Sequence, residues 1–205
     1  MKRLLSIHIP KAGGSSFRHT LKSIYSNYFW SYGVEAEKIA KSKINELQCL
    51  HGHINPMNYI HLMPDALVII WVREPISRFK SYYNYRKYTR QDGKINEIMK
   101  KYSSFMEWIR SENSNYLKTE MLNYINIKTL DKFDFIGEIE NYDKDLQRLM
   151  NMLGVTKYKQ MHTNKSKTPE EINLSESDIS FIKDKFKSEF NIYEMIKNNI
   201  CKGVK

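Results

Sequence analysis

Ser6-Ile7-His8-Ile9-Pro10-Lys11-Ala12-Gly13-Gly14-Ser15-Ser16-Phe17 is the stretch from which the rest of the chain can be read. Apolar residues ending at Ile9 read as a buried strand, the paired glycines as a loop free to take unusual backbone angles, and the paired serines as the N-cap of a helix. That is the build of a phosphate cradle. The N–H groups of Gly13 to Ser16 are expected to face an anion at the positive end of the following helix, with Lys11 adding a full charge at the rim. An ordinary strand-turn-helix corner is the alternative reading. A Walker A loop carries its lysine after the last glycine, followed by the serine or threonine that holds magnesium; here Lys11 precedes the glycines and no lysine follows Gly14. A dinucleotide fingerprint requires a third glycine where Phe17 stands.

Working outward, 205 residues with 41% hydrophobic content predict one compact α/β domain over residues 1–205, with ample length for a core. The first strand begins almost at the N-terminus, and no apolar run approaches the roughly 18 residues that span a bilayer. A soluble, cytoplasmic protein without a transmembrane segment is the expectation. Cys49 and Cys201 have neither metal-ligand spacing nor a disulfide framework and read as free thiols. A net charge of +10 calls for an anionic partner. The basic residues are scattered, apart from Arg86, Lys87 and Arg90, and no helix-turn-helix, zinc-finger or RNA-binding sheet signature accompanies them, so nucleic acid is not expected.

Along the chain, Phe17, Leu21, Ile24 and Tyr25 fall at helical spacing, and that helix ends before Phe29. Residues 35 to 45 predict another short helix. Gln48 to His53 reads as a strand ending in a polar mouth. Ala66 to Val72 is continuously apolar and β-branched, the pattern of a strand buried on both faces of a parallel sheet. Arg73-Glu74-Pro75 follows at once, and Pro75 suits the first turn of a helix whose apolar side is Ile76, Phe79 and Tyr83. Residues 94 to 127 are helical in pattern, Phe133 to Ile139 resembles a strand, and Leu146 to Leu153 is a helix stopped by Gly154. Tyr158 to Pro169 is a polar, basic loop. Ser175 and Asp178 have capping-box spacing for a final helix through Ile179, Ile182 and Phe186.

Strand-loop-helix units at Lys11 and at Arg73 imply a mainly parallel sheet with its ligand beyond the carboxyl ends of the strands. A magnesium nucleotidase is expected to end its second strand with an aspartate; Arg73 suits a phosphate or sulfate instead. The expected ligand is therefore a polyanion held without metal. Arg73 and Ser81, a turn and about two helical turns apart, can reach one phosphate group. Taken singly, Arg73 reads equally as an ion-pair residue and Ser81 as a surface serine.

His8 to Ser16 resembles the 5′-phosphosulfate loop of sulfotransferases that use 3′-phosphoadenosine 5′-phosphosulfate (PAPS). Val72-Arg73-Glu74-Pro75-Ile76-Ser77-Arg78-Phe79-Lys80-Ser81-Tyr82-Tyr83 resembles their 3′-phosphate segment, with Glu74 in place of the more usual aspartate. His51-Gly52-His53 is similar to the histidine pair of the branch that includes heparan sulfate 2-O-sulfotransferase, sulfotransferase family 2. Phe135 to Glu140 and Asn164-Lys165-Ser166 also resemble that branch. The resemblance implies a P-loop-like three-layer fold, with helices flanking the central sheet, and transfer of the PAPS sulfuryl group to a hydroxyl of a carbohydrate-type acceptor. It implies PAPS contacts from Lys11, Ala12, Gly13, Gly14, Ser15, Ser16, Arg73, Ser81, Lys165 and Ser166. It makes His53 the base and Lys11 the stabiliser of the leaving phosphate, and gives His51 a part in substrate binding, although His51 reads equally as a histidine hydrogen-bonded at a strand end. His8, inside the first strand, reads as a satisfied buried histidine. An ATP-dependent phosphotransferase and a non-catalytic polyanion-binding module are the alternatives.

Overall fold

The computed structural model of the protein describes residues 1–89, 94–160 and 171–201. Five strands form one sheet: β1 (Leu4–His8), β2 (Tyr28–Ser31), β3 (Cys49–Gly52), β4 (Leu67–Val72) and β5 (Phe135–Glu138). Their order is β2-β3-β1-β4-β5, and every adjacent pair is parallel. Parallel neighbours require crossovers, and helices supply them on both faces.

Alternation along the strands divides the core in two. Leu5, Ile7, Leu50, Val68, Ile70 and Ile136 face one way, against α2 (Val34–Ser42), the segment around Met121 and Ile125, and α8 (Lys187–Cys201). Leu4, Cys49, Ile69, Trp71 and Phe135 face the other way, against α1 (Gly14–Ile24) and α6 (Tyr142–Leu153). The result is the expected three layers. A third cluster joins α3 (Pro75–Asn84) to α5 (Phe105–Arg110) and α7 (Glu176–Lys185) through Phe79, Tyr83, Trp108, Ile182 and Phe186.

Several local expectations are corrected. The paired serines do not cap α1: its N-cap is Gly13, at φ +71°, and Ser15 and Ser16 lie in the first turn. A left-handed N-cap costs glycine little. Tyr28–Ser31 is an additional edge strand, paired with β3. Residues 94 to 127 break into α4 (Lys94–Lys100), α5 and 3₁₀ turns at Glu112–Lys118 and Met121–Asn123. The C-terminal helix is two helices divided at Phe186, and the expected Ser175–Asp178 capping box is present at the start of α7. Glu74 caps α3, accepting from the N–H groups of Ile76 (3.0 Å) and Ser77 (2.7 Å), with Pro75 in the first turn. No helix among the described residues is long and apolar enough to cross a membrane.

Candidate active site

The carboxyl ends of β1, β3 and β4 open into a cleft of about 750 Å³. Lys11, Gly13, Gly14, Ser15, Ser16, His53, Arg73 and Ser81 all line it. These residues come from three separate stretches of sequence and meet because parallel strands place their following loops on one edge. Ala12 belongs to the same loop but not to the cleft: it is fully buried in the core, and its N–H donates to the Ile9 carbonyl at 3.1 Å. Lys165 and Ser166 lie outside the described residues, as does Arg90 of the basic cluster.

The loop is held tightly. Lys11 has φ +66°, a left-handed conformation that is unusual outside glycine. A Cβ at Gly13 would lie 2.3 Å from the Ile139 side chain, and one at Gly14 would lie 2.0 Å from the His8 ring. The start of α1 has no side-chain cap, so its positive end faces the cleft. Arg73 joins the loop through Nη1, which donates to the Lys11 carbonyl at 3.3 Å. Its buried Nε has no hydrogen-bond partner among the described residues.

Charge in the cleft is lopsided. The Lys11 ammonium rests 3.9 Å from the centre of the Tyr85 ring. Burial, then the like charges of Arg73 and Arg86, bring its pKa down to about 8. Cations packed at this spacing repel one another, and an anion among them relieves both the repulsion and the desolvation.

Three histidines share the other side of the loop. The His8 ring lies 4.3 Å from that of His53 and 5.4 Å from that of His51. His8 is not the satisfied core residue expected: its Nδ1 has no hydrogen-bond partner among the described residues, and the side chain lines the cleft. The absent side chain of Gly14 is what lets the ring lie under the start of α1. His51 is buried and does not line the cleft; its Nδ1 meets Ser6 Oγ at 2.9 Å and its Nε2 lies 3.4 Å from the Gly14 carbonyl. It ties β3 to β1 and to α1. His53 reaches the cleft, with its ring packed beside that of His8. A neutral imidazole keeps one ring nitrogen with a lone pair.

Burial keeps all three rings neutral. His53 is brought down to about 4 and His51 to about 3, and His8 lies well below the usual range, with the neighbouring rings adding to the effect of burial. Folded-state values below the unfolded one mean that the unfolded chain takes up protons the folded chain refuses. Stability is intact above about pH 6.5 and is lost as pH falls toward 4, at about 1.4 kcal/mol per pH unit for each histidine. The raised Glu189 carboxyl works the other way over the same range and offsets one histidine's share, so urea midpoints at pH 7.5, 6.0 and 5.0 are expected to fall with the remaining slope, and His51→Asn is expected to flatten it; an equal slope in that variant contradicts the assignment.

Sequence reasoning missed the opposite wall. Trp30 and Tyr32 at the end of β2, and Tyr116, Glu120 and Tyr124 from the turns after α5, also line the cleft, with Trp30, Tyr32 and Tyr124 around the His53 ring. The aromatic run Tyr28-Phe29-Trp30, directly after Ser26-Asn27, is a strand signal that could have located the first two. Nothing in the local pattern marks the others.

A sequence model described as "Sulfotransferase family" matches residues 1–195. No match was found among curated protein sequences. Among solved structures, a sulfotransferase from Alicyclobacillus acidocaldarius is similar in fold at 11% identity and a TM-score of 0.50, over 96% of this chain and 97% of that one. Mouse sulfotransferase SULT7A1, complexed with PAP, is 13% identical with a TM-score of 0.49 over 90% of this chain. The chain spans 64% of the length of the mouse protein.

Proposed function

The chain belongs to the sulfotransferase family, and on that premise we propose that it moves the sulfuryl group of PAPS to a hydroxyl of a carbohydrate-type acceptor. The observation that carries this reading is the meeting of the uncapped α1 terminus, Lys11, Arg73, Ser81 and His53 in one cleft. The residues present fit the donor. The first turn of α1 and Lys11 hold its 5′-phosphosulfate, while Arg73, whose Nε lacks a partner among the described residues, holds the 3′-phosphate with Ser81.

PAPS supplies an electrophilic sulfur with a phosphate leaving group. The lone-pair nitrogen of His53 takes the acceptor's hydroxyl proton as the acceptor oxygen bonds to sulfur. The sulfur–oxygen bond to the 5′-phosphate breaks, and the charge left on that phosphate oxygen falls to Lys11 and the N–H groups of the loop. His51 positions this machinery from behind, through Ser6 and Gly14.

Lys11 gives the donor reading a pH signature. Its pKa in the free protein is about 8, and a bound anion raises it. Affinity for adenosine 3′,5′-bisphosphate (PAP) is therefore highest below about pH 8, and falls by up to about tenfold per pH unit above it, with proton uptake on binding. Calorimetry in two buffers of different ionisation heat checks this. Lys11→Arg, which retains its charge, is expected to remove most of the pH dependence; an unchanged profile contradicts the role given to Lys11.

A further inference from the structure

We propose that Glu120 is a specificity-determining residue at the acceptor end of the cleft and selects an uncharged, hydroxyl-bearing ring, a neutral glycoside, over a carboxylated one. This rests on the sulfotransferase reading.

The order of strands divides the cleft. Arg73 and Ser81 follow β4 on one side of the loop, and Trp30, Tyr32 and His53 follow β2 and β3 on the other. The donor's anionic groups belong with Lys11, Arg73 and Arg86, which leaves to the acceptor the second side, where the Arg18 guanidinium is stacked on Trp30 at 5.0 Å. There the proposed base stands among aromatic rings: Tyr32, Trp30 and Tyr124 have their centres 5.2, 5.9 and 6.4 Å from that of His53. Flat rings around a hydroxyl-activating group suit the apolar face of a pyranose.

Glu120 lines the cleft between Arg78 of α3 and Tyr124, whose hydroxyl feels its charge, and is unusual in a cleft otherwise rich in cations. Its Oε2 is ion-paired to Arg78, which is wholly buried and is held from behind by Glu189 Oε2 at 2.7 Å. Glu189 Oε1 in turn accepts from the Met121 N–H at 2.7 Å, fixing the turn that carries Glu120. The second oxygen, Oε1, has no hydrogen-bond partner among the described residues, and the side chain is 14% exposed. An anchored carboxylate with one free oxygen accepts hydrogen bonds and donates none. A hydroxyl neighbouring the sulfated one satisfies it, whereas a carboxylate or sulfate there meets like charge.

The test uses p-nitrophenyl β-D-glucoside, β-D-galactoside and β-D-glucuronide as acceptors with ³⁵S-labelled PAPS. PAP affinity is measured separately by calorimetry. The wild-type protein is expected to use the glucuronide at least tenfold less well, in kcat/KM, than the glucoside. Glu120→Gln is expected to narrow that gap about tenfold and to raise KM for the neutral glycosides, with PAP affinity unchanged. Equal or better use of the glucuronide by the wild-type protein, a gap unmoved in Glu120→Gln, or no turnover of either neutral glycoside while PAP binds, each overturns the proposal and leaves the donor reading standing. Failure of PAP to bind takes both down.

Discussion

His53→Ala is expected to lower kcat for sulfuryl transfer from PAPS to a neutral aryl glycoside by about 10² to 10⁴, the usual worth of a positioned general base. PAP affinity is expected to stay within about twofold, because His53 stands on the acceptor side of the loop. The physical ground is its geometry. The ring lines the cleft, and burial holds the imidazole pKa near 4, so it is neutral with a free lone pair at pH 7. The low value also sets the pH profile: activity has no acid limb near pH 6.5 from this residue, and acid loss follows unfolding instead. His53→Gln, which keeps a polar side chain of similar reach and removes the base, is expected to be as inactive as His53→Ala. Retention of most activity in both variants would remove His53 from the chemistry.

The second large effect concerns folding. Arg78 lies in the segment resembling a 3′-phosphate site, yet it points into the core, fully buried between Glu120 and Glu189. Glu189 is also fully buried, and desolvation, set against the pull of Arg78, raises its pKa to about 7. Arg78→Ala leaves that carboxyl without its partner and is expected to cost about 3 to 5 kcal/mol. Lysine offers one ammonium in place of a fork that reaches two carboxylates, so Arg78→Lys recovers little. The paired change Arg78→Met with Glu189→Leu removes the two fully buried charges but leaves the Met121 N–H and the Glu120 carboxylate without partners, and is expected to recover only part of the loss. Urea unfolding of the four proteins tests this, and a loss below about 1 kcal/mol in Arg78→Ala contradicts it.

What could be read from the sequence follows the range of the forces involved. Strand β4 is legible because six consecutive residues are apolar and its burial is two-sided. The capping box of α7 and the proline start of α3 are equally local. The loop from Lys11 to Ser16 reads as an anion cradle because glycines, a helix start and a cation adjoin within six residues, although the serines it offers as an N-cap lie in the first turn instead. By contrast, β2 is four residues long at the sheet edge and only partly buried, so its pairing with β3 rather than its own pattern makes it a strand. The Glu120–Arg78–Glu189 network links residues 42 and 111 positions apart, and no window of sequence contains it. His8 was misjudged for a similar reason. Its strand pattern is that of a core residue, and only the close approach of Gly14 at the end of β1 makes room for the ring beside the cleft.

The donor is the centre of this account, and the thermal unfolding of the protein with PAP, compared with ADP with and without magnesium, tests it most directly. A ligand that binds the folded state alone adds about 2.7 kcal/mol at 100 times its dissociation constant. The account predicts a rise in melting temperature with PAP that is independent of magnesium, exceeds any rise with ADP, and is lost in Arg73→Ala. No rise with PAP, or a larger one with ADP and magnesium, would contradict it.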